Sequence, residues 1–357
     1  MINNLTLNNF RCFSSLNINL SPGVNFFYGK NGCGKTSILE AINLCSSAQS
    51  FKSGNLQSLI SIGEEAFNIK GYDSTSGYSL VITKQQSKPI SILLNNTKTT
   101  TSNLIREFPS TSIHNNTFSF ADAPPDFRRK LLDKSLFISD KQFSEVWFGY
   151  YRCLKQRNAL LKTGSLTNIE PWENKLSDLG EELTIQRKLF FDQTLYELTD
   201  LVKSLDKTPS TEFLVKVDVS FYPGWEADLN LSDLFINNRY ADLRRKSTTK
   251  GPHKADIRFL IKGIEAKQIL SRGEQKLFSS LWCCAQHEVL RKHYGINAVL
   301  IIDDIKSELD DNTFKVFLNL LDFLNNQIIF SCIDDHFSSK IDADFREFKK
   351  FHVEQLK

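Results

Sequence analysis

The chemistry in this chain concentrates in eight consecutive residues, Gly29-Lys30-Asn31-Gly32-Cys33-Gly34-Lys35-Thr36, with Ser37 directly after them. Their spacing fits the pattern GxxxxGK[ST], a loop in which glycines let the backbone curl until its N–H groups face phosphate oxygens. A helix starting at the end of the loop adds the partial positive charge of its N-terminus. In such a loop Gly29 to Ser37 hold ATP, Lys35 reaches the β- and γ-phosphates, and the Thr36 hydroxyl ligates Mg²⁺. Cys33 falls at the start of that helix, which marks it as a candidate reactive thiol that bound nucleotide would shield.

A phosphate loop needs an acidic partner at the end of another strand. Val299-Leu300-Ile301-Ile302-Asp303-Asp304 supplies one. Asp303 is expected to hold Mg²⁺ through water, and Asp304 to orient the attacking water or take its proton. The third element is Leu270-Ser271-Arg272-Gly273-Glu274-Gln275. A serine at a helix start, with a glycine that bares the backbone, makes an anion site. Alone, the hexapeptide reads equally well as a helix cap. The order phosphate loop, hexapeptide, acidic strand is what gives it weight, with Ser271, Arg272, Gly273 and Gln275 as candidate contacts to nucleotide on a second subunit.

These residues need a frame. Val24 to Tyr28 is a short apolar run, read as a buried strand that feeds Gly29. Ile18 and Leu20 alternate with polar neighbours, and 79–84 and 90–95 are also strand-like. Ser139-Asp140-Lys141-Gln142 reads as a capping box ahead of a helix marked by Phe143, Val146, Trp147, Tyr150, Leu154 and Leu161, with Gly164 as its stop. A second long helix is indicated by Leu176, Leu179, Leu183, Phe190 and Leu195. Phe213 to Phe221 alternates as a strand does. A helix follows Ser271, and strands are expected at 299–302 and 328–330. The simplest architecture is an α/β core, a mixed sheet with helices, built from the first and last thirds, 1–108 and 293–357. A mostly helical lobe that carries the hexapeptide, 109–292, is inserted between them.

Bulk properties agree. With 357 residues, 41% hydrophobic and 24% charged, two lobes are the natural expectation. A net charge of +3 means that any polyanion surface must be local. The seven cysteines are odd in number and form no CxxC pair, which argues against a disulfide framework or a zinc site and suits a reducing cytoplasm. No signal peptide is read at the N-terminus, and the apolar runs are too short to span a bilayer. His253, without a Cys or His at ligand spacing, is read as a structural hydrogen-bonding residue.

Five blocks resemble the RecF family. They are Tyr28 to Ile42; Pro124-Pro125-Asp126-Phe127-Arg128-Arg129-Lys130-Leu131-Leu132-Asp133; Leu154-Lys155-Gln156-Arg157-Asn158-Ala159-Leu160-Leu161; Gly251-Pro252-His253-Lys254-Ala255-Asp256 with the hexapeptide and Lys276-Leu277; and Asp303-Asp304-Ile305-Lys306-Ser307-Glu308-Leu309-Asp310. They run through nearly the whole chain in the family's order. ABC ATPases in general share the phosphate loop but not the Lys-Gln-Arg-Asn and Gly-Pro-His blocks.

The resemblance implies a two-lobed ABC-type ATPase head similar to those of Rad50 and SMC, without their long coiled coil. The stretch between Lys35 and Ser271 has no room for a long arm at about 1.5 Å per residue. It further implies a cytoplasmic protein of DNA recombination, replication and repair, tied to the SOS response. ATP would drive a homodimer on DNA at single-strand/double-strand gaps, helping RecO and RecR load RecA, and weak DNA-dependent ATP hydrolysis would release it. Ser271 to Gln275 would then be the signature acting in trans.

The sequence departs from the family in several places. Ser50-Phe51-Lys52 stands where relatives usually carry Ser-Phe-Arg. Ile113-His114-Asn115-Asn116 lacks the acidic look of the family loop, so no glutamine-type sensor is placed there. Ser331-Cys332-Ile333 holds no switch histidine. Asp304 replaces the usual glutamate, and its shorter reach predicts slow hydrolysis. A transporter subunit would need the switch histidine and a shorter helical insert; a nuclease-linked head would need a longer arm or an acidic metal cluster. For DNA the candidates are Arg128, Arg129, Lys155, Arg157, Arg245 and Lys246, with phosphate contacts giving affinity without base readout. Each reads equally as a solvated charge, and Arg157 with Asn158 could instead be structural.

Overall fold

The computed structural model describes residues 1–164, 166–205, 208, 210–226, 229–321, 323–333 and 347–356. They form two compact units, one of Met1–Ala121, Leu198–Leu214 and Leu270–Lys357, the other of Asp122–Glu197 and Val215–Ile269.

The first unit opens with β1 (Asn4–Phe10), β2 (Phe13–Asn19), β3 (Val24–Tyr28) and α1 (Lys35–Ser47). It continues through β4 (Ala66–Asp73), β5 (Tyr78–Gln85), β6 (Ser91–Leu94), β7 (Thr97–Lys98), α2 (Thr101–Glu107), β8 (Ser110–Ile113) and α3 (Asn115–Phe118). The second unit holds α4 (Pro125–Ser139), α5 (Lys141–Thr163), most of α6 (Glu170–Ser204), β9 (Asp218–Tyr222), α7 (Leu231–Arg245), β10 (Asp256–Ile261) and β11 (Ile264–Glu265). The chain then returns to the first unit with α8 (Arg272–Tyr294), β12 (Val299–Ile302), α9 (Ile305–Glu308), α10 (Asp311–Leu321), β13 (Ile328–Cys332) and β14 (Lys349–His352).

Two sheets frame the first unit. One is a parallel sheet in the order β14-β3-β13-β12-β8. Its inner strands are buried along their length, which is why 299–302 and 328–332 read as continuous apolar runs rather than alternating ones. The other is antiparallel, in the order β2-β1-β4-β5-β6-β7. Its strands alternate buried and exposed residues, as in β2 and β4, so that only one face is dry.

Helix α1 is buried between them at Lys35 and throughout Ile38 to Ser47. One continuous core joins Leu5, Leu7, Phe10 and Ile69 of the antiparallel sheet to Phe27, Ile301 and Ile329 of the parallel one through Ile38, Leu39 and Ile42 of α1. A helix enclosed in this way is buried around its circumference, not along one stripe, and Glu40, Asn43, Ser46 and Ser47 are buried along with its apolar residues. The parallel sheet thereby brings the ends of β3, β13 and β12 together at the start of α1.

The second unit packs α4, α5, α6 and α7 with a three-stranded antiparallel sheet, β11-β10-β9. The longest helix among the described residues, α6, has 35 residues, and no long coiled coil is found among them. No described helix is long and apolar enough to cross a membrane.

Three sequence expectations are revised. Ser139 closes α4, and no capping box forms; Asp140 alone caps α5, its side chain accepting from the Gln142 N–H at 2.7 Å. The strand expected from Phe213 starts at Asp218, where pairing with β10 begins, and residues 212–216 form a 3-10 turn. The expected division at 108 and 293 differs from the two units, because α8 buries Leu277 to Leu290 within the first unit, together with the phosphate loop.

Candidate functional site

The loop after β3 keeps its shape through positive backbone angles at Gly29, Gly32 and Gly34, with φ of 145°, 80° and 115°. Gly34 is required twice over. L residues rarely adopt its φ, and a Cβ there would meet the Phe13 ring at 2.7 Å and Cys12 Sγ at 2.8 Å. Lys35, the first residue of α1, is buried and folds back along the loop. Its ammonium donates to Gly29 O at 2.6 Å and Lys30 O at 3.0 Å. Cys33 is buried as well, only 6% exposed, while the exposed thiol beside the loop belongs to Cys12. The reactive-thiol assignment to Cys33 is therefore corrected: a reagent meets Cys12 first.

A cavity of about 480 Å³ opens over the loop, within the usual size range for small-molecule sites. Asn31, Gly32, Gly34, Lys35, Thr36, Ser37 and Asp304 line it, all of them residues singled out by the motifs. Arg11, Ile60 and Ile62 line it too, though no motif pointed to them, and so does Lys52, which the sequence marked only as a departure from the family's Ser-Phe-Arg. Arg11 is held by Glu40, with Nε and Nη2 donating to the two carboxylate oxygens at 3.0 and 3.1 Å. Ile60 and the fully exposed Ile62 add an apolar edge.

The acids arrive from β12. Asp303 Oδ1 accepts from the Thr36 hydroxyl at 3.1 Å and from Ser331 Oγ at 2.8 Å. Ser331, on β13, also accepts the Asp304 N–H at 3.0 Å, so one serine hydroxyl positions both acids. It was invisible in the sequence, where this segment stood out only for lacking a histidine.

The Thr36 hydroxyl and the Asp303 carboxylate are hard oxygen donors converging beside the loop, which fits Mg²⁺. That ion completes its octahedron with waters and substrate phosphates more readily than with a protein cage. Thr36 and Asp303 would hold the ion, and its chemistry would be charge neutralisation on the phosphates.

Asp304 has left-handed backbone angles, φ 50° and ψ 40°, a region that aspartate tolerates better than most side chains. One carboxylate oxygen accepts from Ser307 Oγ at 2.9 Å; the other is buried without a hydrogen-bond partner. Asp304 lines the cavity, and a carboxylate there is chemically able to take a proton from water.

Burial pushes both acids above the usual carboxylate range, against the pull of Ser331 and Thr36 on Asp303 and of Ser307 and Lys35 on Asp304. The folded state thus disfavours their charge. That penalty is in force above the raised pKa and fades as the pH falls toward the ordinary value near 3.8. Asp304→Asn is therefore expected to melt higher than wild type at pH 7 without nucleotide, with the gap shrinking as the pH falls toward about 4 and closed below it. It should keep ATP binding and lose hydrolysis by about a hundredfold or more, since an amide cannot serve as base. Melting curves and phosphate release measure the two effects; hydrolysis near the wild-type rate would remove Asp304 from the base role.

Ser271 caps α8 in a full capping box, its hydroxyl accepting from the Glu274 N–H at 3.3 Å while Glu274 Oε2 accepts the Ser271 N–H at 2.8 Å. Gln275 Nε2 donates to Leu270 O at 2.9 Å. Ser271 and Arg272 are exposed, at the positive end of a 23-residue helix.

The candidate DNA residues separate. Arg157 is fully buried: Nε and Nη2 donate to Glu173 Oε1 at 3.1 and 3.0 Å, and Nη1 donates to Asp242 and Thr248, both at 2.7 Å. It is corrected to a structural residue, because a sealed, saturated guanidinium offers nothing to a phosphate. Arg128 is engaged by both oxygens of Asp256 at 2.8 Å and is mostly covered. Arg129 donates to Ala255 O at 2.6 Å and is half-buried. Lys155 on α5 and Arg245 and Lys246 at the end of α7 are exposed. His253 is structural: its Nδ1 lies 2.8 Å from the Tyr150 hydroxyl and its Nε2 3.0 Å from Thr248 O. Burial lowers its pKa to about 4, so the ring is neutral, with Nε2 donating and Nδ1 accepting.

This fold and this site define a P-loop ATPase head of the ABC type. Residues 1–353 match the family model described as the RecF/RecN/SMC N-terminal domain. The chain is 32% identical to the DNA replication and repair protein RecF of Pseudoalteromonas translucida, over 99% of this chain and 97% of the relative. It is 33% identical to the RecF protein of Shewanella pealeana, over 99% and 98%. The chain belongs to the RecF family. Among solved structures, the recombination mediator protein RecF with ATP superimposes with a TM-score of 0.81 at 23% identity, over 99% of this chain and 96% of the other. The Smc head domain from Pyrococcus furiosus superimposes with a TM-score of 0.55 at 17% identity, over 95% and 91%. At these identities the superpositions speak for the fold.

Proposed function

We propose that this protein is an ATP-dependent DNA-binding factor of recombinational gap repair. ATP with Mg²⁺ binds at Gly29 to Ser37, Thr36 and Asp303. A second copy closes the pocket with Ser271, Arg272, Gly273 and Gln275. The homodimer sits on gapped DNA, assists RecO and RecR in loading RecA, and leaves when Asp304 supports slow, DNA-dependent hydrolysis. The observation that carries this reading is the convergence of Lys35, Thr36 and Asp304 on one cavity, with Asp303 hydrogen-bonded to Thr36 beside it, in a chain whose full-length relatives are named DNA replication and repair proteins. Lys155, Arg245 and Lys246 are the exposed cations proposed to meet phosphates, Arg129 a partly covered one, and their contribution should weaken with salt. The test is a gel-shift assay on gapped DNA with and without Mg-ATP. Retention that depends on ATP is expected; retention equal in both lanes, or absent from both, would overturn the proposal.

A further inference from the structure

The far end of the chain reaches the phosphate loop. After β14 the backbone turns through residues 353–356 and sets the Glu354 carboxylate against Gly29 and Lys30. Glu354 Oε1 accepts the Lys30 N–H at 2.8 Å. Its other oxygen, Oε2, lies 2.9 Å from His352 Nε2, and the His352 ring stacks on Tyr28, the last residue of β3, at 4.9 Å between centroids. The fit to the loop is tight: a Cβ on Gly29 would stand 2.2 Å from Glu354 Oε2. A side chain at the first glycine of the motif would push this carboxylate aside, and its φ of 145° already favours glycine.

The neighbouring peptide is fixed from the β13 side, where the Gly29 N–H donates to Ile333 O at 3.2 Å. Two consecutive N–H groups at the loop entrance are therefore tied to protein acceptors. The carbonyls of these same two residues, Gly29 and Lys30, are the ones that hold the Lys35 ammonium. The chain of contacts is continuous: Glu354 to the Lys30 N–H, the Gly29 and Lys30 peptides, then Lys35.

We propose that Glu354 is a positioning residue for nucleotide binding: by accepting the Lys30 N–H it orients the entrance of the phosphate loop and, through the two carbonyls, parks the Lys35 ammonium for the β- and γ-phosphates. This rests on the reading of the loop as an ATP site. The acceptor oxygen, not the charge, performs the task, so glutamine should serve where alanine does not.

The test titrates the full chain with a fluorescent ATP analogue in Mg²⁺ and records melting temperature with and without ATP. Glu354→Ala should weaken binding about tenfold or more, as expected for losing one hydrogen bond that sets the geometry of the site. Its melting temperature without ATP should stay near wild type, while the ATP-induced rise shrinks. Glu354→Gln should bind within about threefold of wild type. Affinity of Glu354→Ala within twofold of wild type would overturn the proposal. So would a Glu354→Gln defect as deep as that of alanine, or loss of Glu354→Ala stability without ATP as large as its loss of ATP-induced stabilisation, which would make the residue merely structural. If wild type itself binds no analogue, the ATP-site reading fails, and that outcome is separate from wild-type binding that Glu354→Ala leaves untouched.

Discussion

Lys35→Ala is expected to abolish tight ATP binding and leave the fold standing. The ammonium is the cation built into the loop, 2.6 Å from Gly29 O and 3.0 Å from Lys30 O, and buried within a short reach of the cavity. With nucleotide those donors turn to phosphate oxygens, where charge-assisted hydrogen bonds are strongest. Losing them should weaken affinity about a hundredfold or more, the size of one or two such bonds. Alanine favours the helix and leaves two carbonyls that water can reach from the cavity, so the melting temperature without ATP should move by no more than about 5 °C. Equilibrium titration with a fluorescent ATP analogue checks the first part and a melting curve the second. Affinity within a few-fold of wild type would show that the loop is not the nucleotide site.

Ser271→Arg carries the second large effect. If the start of α8 completes the pocket of another subunit, a bulky cation there should block ATP-driven dimerisation while an isolated subunit still binds ATP nearly normally. The substitution also removes the cap made by Ser271 Oγ and the Glu274 N–H, which costs about 1 kcal/mol and is too little to unfold the head. Light scattering with Mg-ATP reads the dimer directly. Mixing Ser271→Arg with Lys35→Ala sharpens the test, because a mixed dimer gathers both defects in one composite site and leaves the other intact. Partial hydrolysis should then reappear from two inactive proteins. Full dimerisation by Ser271→Arg alone would mean that the serine only caps its helix, and the trans arrangement would have to be dropped.

What could be read from the sequence was local. Glycine spacing declares a curled loop, and an unbroken apolar run such as 299–302 declares a strand buried on both faces, so Lys35, Thr36, Asp303 and Asp304 were named from short windows. What escaped depends on strand register or on partners distant along the chain. Ser331 is 28 positions from Asp303, and only the pairing of Ile302 with Phe330 puts its hydroxyl beside the acids. Arg157 sits in a helix with charged neighbours, and its sequence read as either a phosphate contact or a structural residue. Its acidic partners lie 16 and 85 positions away, and nothing near it announces a buried ion-pair network. Glu354 is 324 positions from the peptide it holds. The strand expected from Phe213 failed for a related reason: alternation without a partner strand does not make a ladder, and β10 reaches only as far as Asp218.

The enclosure of α1 between the two sheets has a thermodynamic consequence. In many proteins the ligand is gripped by peripheral loops, which open and close without disturbing the interior, so binding protects only a few amides against solvent exchange. Here the loop that would grip the phosphates, exposed at Lys30 to Gly32, runs directly into a helix at the centre of the hydrophobic interior, and the amides of that helix from Ile38 onward can open only when both sheets let go. Free energy gained from nucleotide is then spent on global unfolding instead of local fraying, and exchange should slow across strands far from the loop, Leu5 and Ile69 among them. By the same linkage, a cavity made at Ile38 or Ile42 would register as weakened nucleotide affinity, although neither side chain lines the site.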